Sequence, residues 1–103
     1  MEIKAKICKV MPSVEGEGRN GHYKFTPFII EWDEIENGRS FTQSAIVDFN
    51  EKNVKVADLI QLVGTSERVL MSLSINVNNG KERQYTQVTA YLRDDKYRVP
   101  RQY

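Results

Sequence analysis

Apolar residues recur at every second position over Val69, Met71, Leu73, Ile75 and Val77, with Leu70, Ser72, Ser74 and Asn76 between them. Side chains of a strand alternate between its two faces, so this spacing predicts a strand with one buried face. Asn78, Asn79 and Gly80 tolerate the positive φ angles of a tight reversal, and the chain is expected to return as a hairpin. The returning strand, Arg83 to Leu92, sets Thr86, Val88, Ala90 and Leu92 on one face and Arg83, Tyr85, Gln87, Thr89 and Tyr91 on the other. That second face is either solvated or a platform on which flat ligands stack.

At the start of the chain Ile3, Ala5 and Ile7 alternate, and the apolar phase then moves to Cys8 and Val10. A shift of phase within a strand predicts a bulge or sharp bend. Pro12 ends this strand, and the glycine-rich polar run Ser13 to His22 reads as a mobile loop. Gly16, Gly18 and Gly21 spell G-x-G-x-x-G, but a dinucleotide-binding turn must open a helix, and this one opens an apolar run containing Pro27. Backbone flexibility explains these glycines better.

From His22 to Trp32 both faces carry apolar residues: Phe28, Ile30 and Trp32 on one, Tyr23, Phe25 and Ile29 on the other. Such a strand is expected to be covered by the core on one side and by a ligand, partner or second protomer on the other. Pro27 cannot donate to a ladder, which predicts an edge or bulge there. Asp33 to Arg39 reads as a solvated acidic turn closed by Asn37 and Gly38. Phe41, Ala45, Val47 and Phe49 alternate with Thr42, Ser44, Ile46 and Asp48 as a third strand. Val56, Leu59, Ile60 and Val63 then fall at helical spacing, with Asn50 or Asn53 as cap and Gly64 as terminator, which predicts about three turns of amphipathic helix.

The chain has 103 residues, 40% apolar and 28% charged, as expected of one domain with one core. The net charge of +1 means that any contact with a polyanion must rest on local clusters of Lys and Arg. Cys8 is the single cysteine; it reads as a small buried hydrophobe in a reducing compartment, and a cytoplasmic location is expected. No apolar run has the length of a signal peptide or membrane span. His22 is the single histidine and has no evident nucleophile beside it, no metal-ligand cluster stands out, and neither catalysis nor a cofactor is expected.

Three strands, a helix and two strands is the order of an all-β protein with one short helix, the five-stranded OB-fold barrel. An SH3-like barrel, the main rival, usually lacks a helix of this length at that point. Met1 to Val10 (M-E-I-x-x-K-I-x-K-V), Gly18 to Lys24 (G-x-x-N-G-x-Y-K), Phe28 to Glu31 (F-I-I-E) and Arg83 to Tyr91 (R-x-Y-T-x-V-x-A-Y) resemble a family of small, largely uncharacterised bacterial domains. That family is itself similar to the bacterial single-stranded DNA-binding proteins. The resemblance spans residues 1 to about 92, and the basic, aromatic segment 93–103 follows it as a tail.

What the resemblance implies is an OB-fold with possible binding of single-stranded DNA or RNA, in which flat side chains lie under the bases and cations follow the phosphates. The candidates are Tyr23, Phe25, Tyr85 and Tyr91 for stacking, and Arg19, Lys24, Lys81, Arg83 and Arg93 for phosphate. The alternative is an interaction module or homo-oligomer that buries the same face, which the two-sided strand His22 to Trp32 also fits.

Overall fold

A computed structural model describes residues 1–19, 21–79 and 84–100, with side chains throughout except at 76–79 and 84–87. The elements are β1 (Glu2–Val10), β2 (Val14–Gly18), β3 (Gly21–Glu36), β4 (Arg39–Asn50), α1 (Val56–Ile60), β5 (Arg68–Asn79) and β6 (Gln84–Leu92), followed by a 3-10 turn at Asp95–Tyr97. All strand pairs are antiparallel. β4 runs along one edge of β3; β2 and β1 share the other edge, β2 against Gly21–Phe25 and β1 against Phe28–Glu31. β1 also pairs with β5, and β5 with β6.

No ladder joins β4 to β6 among the described residues, so the architecture is an open antiparallel sheet with one short helix. None of the described helices is long and apolar enough to cross a membrane.

The inner face follows from the alternation. Ile3, Ala5 and Ile7 of β1, Phe28, Ile30 and Trp32 of β3, Val47 and Phe49 of β4, and Val69, Met71 and Leu73 of β5 are buried together. Across the ladders Ile30 lies opposite both Ile7 and Ala45, and Phe28 opposite Val47. A slip of one residue would expose this whole set, so burial fixes the register. Trp32 satisfies its indole N–H by donating to Glu34 at 2.9 Å.

The phase shift in β1 is a bulge between Ile7 and Lys9. Pro27 meets its lack of a donor in a different way from an edge strand. It lies opposite Asp48 of β4, and its carbonyl accepts from Met11 at 2.9 Å, so its nitrogen faces the break between β1 and β2.

Several expectations need correction. Val14–Gly18 is not a loop but a strand, because Gly21–Phe25 at the start of β3 offers it a complete ladder; this extra strand raises the count from five to six. The acidic run Asp33–Glu36 belongs to β3, since Asn37 and Gly38, at φ 53° and 77°, reverse the chain by themselves. The helix is Val56–Ile60 rather than three turns: Val56 and Leu59 are buried, while Ile60 turns outward. Neither asparagine caps it; the Asn50 side chain instead accepts from the Lys52 N–H at 2.9 Å. Gly64, at φ 79°, does turn the chain after the helical segment and donates to the Ile7 carbonyl.

Ile75 is exposed although it keeps the inner phase of β5; the β1 ladder stops beside Leu73, short of it. Cys8 is half-buried rather than enclosed, for the bulge turns it out of the core. The C-terminal segment contributes Tyr97 to the core, held by the bridge Val54–Arg98 and by the Val99 N–H donating to Asn53.

Ile30→Ala is expected to lower stability by about 2–5 kcal/mol, and Ile46→Ala, on the outer face of the β3–β4 ladder, by less than about 0.5 kcal/mol. Equal shifts of the two denaturant midpoints would mean that the faces are assigned wrongly.

Candidate nucleic-acid interface

Beyond Pro27 the first part of β3 and all of β2 form a hairpin arm. Antiparallel partners share a face, so Tyr23 lies with Gly16 and Phe25 with Val14 on the outer side. The Tyr23 and Phe25 rings stack on each other, 6.1 Å between centroids and 12° from parallel. A Cβ on Gly16 would stand 2.6 Å from the Tyr23 hydroxyl, so only glycine lets the ring lie down across β2. Gly16 and Gly18 of the G-x-G-x-x-G run thus lie beneath an aromatic ring, on a strand and not before a helix, while Gly21 adopts φ 102° where the arm reverses. Tyr23 remains 40% exposed and Phe25 half-buried.

The other face of the arm is charged. His22 lies 3.3 Å from Glu15 and 3.0 Å from Glu17, and Lys24 pairs with Glu51 at 3.6 Å. Lys24 therefore does not join the aromatic pair, although the sequence places it between them. Arg19 is exposed near the tip of the arm. Arg93 pairs with Glu2 at 3.7 Å on a distant strand end. Such exposed pairs are weak and leave both side chains able to change partner.

Tyr91 projects from the outer face of β6 opposite Ser72 and is 59% exposed. It stands on the wall of a cleft of about 420 Å³ between β4 and β6. Phe49, Val54, Ala90 and Leu92 line the apolar floor, and Asp48, Asn50, Asn53, Thr89 and Arg98 the polar rim. Asn50 lies opposite Phe25, so β4 alone separates the stacked pair from the cleft. Three of the four aromatic candidates thus flank one stretch of surface. Tyr85 belongs to β6 opposite Asn78, but its side chain, like Lys81 and Arg83, lies outside the described residues.

Sequence proximity missed a set of cations. Lys4 and Lys6 occupy the outer face of β1, and the bulge brings Lys9 to the same face, opposite Ile29. Lys4 and Lys9 are exposed and Lys6 is half-buried. The signal was present in the spacing of the lysines, but only the bulge aligns the third with the first two. Beside them, burial and the Glu31 carboxylate push the Cys8 thiol pKa up, against a smaller pull from Lys6. Among the described residues no group of three or more His, Cys, Asp or Glu side chains could hold a metal.

Gly16→Val is expected to lift the Tyr23 ring from its seat, seen as lost NMR contacts between ring and β2, at a small cost in stability because the ring end can swing away. A raised pKa leaves less thiolate at neutral pH, so native Cys8 should react with a disulfide reagent more slowly than the unfolded chain; equal rates would contradict its environment. The chain was compared with known protein families, curated proteins and solved structures, and none of them matches it.

Proposed function

We propose that this domain is an OB-fold that binds single-stranded nucleic acid, DNA in the first instance, without catalysis. The observation that carries the reading is the parallel pair Tyr23–Phe25, lying flat on an outer face across β4 from Tyr91. Flat rings held open to solvent are what bases stack on, at about 1–3 kcal/mol per base. Lys4, Lys6 and Lys9 lie on the outer face of β1, apart from the ring pair but alongside the same β3, and Arg19 lies at the arm, so phosphates have partners although the whole chain is nearly neutral. In support, β1 pairs with both β3 and β5 and the helix falls between β4 and β5, as in the OB-fold plan, to which β2 is an addition. The resemblance to a bacterial family similar to single-stranded DNA-binding proteins points the same way.

A second reading rests on a separate observation. Tyr23, Phe25, Pro27, Ile29 and Ile46 form a continuous apolar stripe on the outer face of β3 and β4, which suits a homo-oligomer or protein-interaction surface.

Titration of a labelled oligothymidine, followed by anisotropy at two salt concentrations, separates these readings. Tyr23→Ala and Tyr91→Ala should each weaken binding by about 1–3 kcal/mol. Replacing Lys4, Lys6 and Lys9 together by Gln should reduce the salt slope by about 2, at about 0.7 per phosphate contact for a single strand. Folded protein that does not bind at low salt, but associates with itself as concentration rises, would transfer the surface to the second reading.

A further inference from the structure

The cleft between β4 and β6 differs in chemistry from the stacking surface beside it. The stacked pair offers rings and no selective hydrogen bonds, whereas the cleft combines one ring with groups that can read an edge. Resting on the single-strand reading above, we infer that this cleft is a base-selective subsite that holds one guanine, stacked on Tyr91 and read by Asp48 and Asn50.

The assignment follows from donors and acceptors. Asp48 and Asn50 are next neighbours on the outer face of β4, both exposed and both on the cleft. Asp48 is an acceptor only, and among the described residues it has no ion-pair partner. Asn50 commits its side-chain oxygen to the Lys52 N–H at 2.9 Å, which leaves its amide N–H groups to donate. The rim therefore presents an acceptor beside a donor. Guanine carries two neighbouring N–H donors, N1 and N2, next to the O6 acceptor, and fits that order with the donors on Asp48 and O6 on Asn50.

The other bases fit less well. Thymine has one N–H between two carbonyls, and those carbonyls would face the carboxylate. Cytosine and adenine each present one amino group beside a ring nitrogen acceptor, which leaves half of the Asp48 carboxylate without a donor. A carboxylate also repels phosphate, so the base and not the backbone must enter the cleft. Arg98, which also lines the cleft and lies 3.5 Å from Asp95, supplies a cation for the flanking phosphate. The volume of about 420 Å³ lies within the range of small-ligand sites and exceeds the needs of a single base.

The test uses the full chain and labelled 15-residue oligothymidines that are unbroken or carry one central guanine, adenine or cytosine. The guanine oligomer is expected to bind about tenfold more tightly than unbroken oligothymidine, with adenine and cytosine giving little gain. In Asp48→Asn the ratio of the two dissociation constants should fall to near one. Binding of every oligomer with equal affinity would overturn the guanine assignment and leave the single-strand reading standing. A guanine preference that survives in Asp48→Asn would overturn the assigned contact. Failure of all four oligomers to bind folded protein at low salt would remove the single-strand reading and the subsite with it.

Discussion

Burial of Phe28, Ile30 and Trp32 on one face of β3 constrains everything else in the molecule. β3 is the longest strand and has neighbours on both edges, so its register transmits to β4 on one side and to β1 and β2 on the other. Once its even-numbered residues from Thr26 to Trp32 are inside, Tyr23, Phe25 and Ile29 have no choice but to face outward. The aromatic surface is a consequence of the core register.

The break between β1 and β2 performs a second task. A proline in a central strand is normally excluded because a ladder loses a donor. Here the nitrogen of Pro27 faces the three residues where β1 has ended and β2 has not begun, so that loss costs the sheet little. The bend also separates the body of the sheet from the arm. The arm then holds its ring pair at a distance from the lysines of β1, with charges on its reverse side.

Much of this was legible in the chain because it depends on local alternation. The inner sets of β1, β3, β4 and β5, the bulge after Ile7 and the Asn37–Gly38 reversal all announce themselves in spacing or turn chemistry. What was not legible depends on partners remote in sequence. Val14–Gly18 contains two glycines and two glutamates and has no apolar alternation of its own; it is a strand because β3 supplies the hydrogen bonds. The helix was overestimated because Val63 keeps the spacing and still packs against the core, although the α-helix stops at Ile60 and tighter turns, each bonded three residues back, carry the chain on to Thr65. Whether β4 meets β6 is likewise a matter of how far the sheet curls, which no pattern along one strand encodes. The candidate surface shows the same division. Tyr23, Phe25 and Tyr91 are outward by alternation, but Lys24 was misplaced because adjacency in sequence means opposite faces on a strand.

Trp32, the one tryptophan of the chain, is almost wholly enclosed and hydrogen-bonded to Glu34, on the opposite side of β3 from Tyr23 and Phe25. Its emission is therefore an internal gauge of whether the domain is intact, shielded from direct contact with anything resting on the outer rings. Loss of that signal during a titration would report melting of the sheet, while events at the tyrosines would have to be watched by other means.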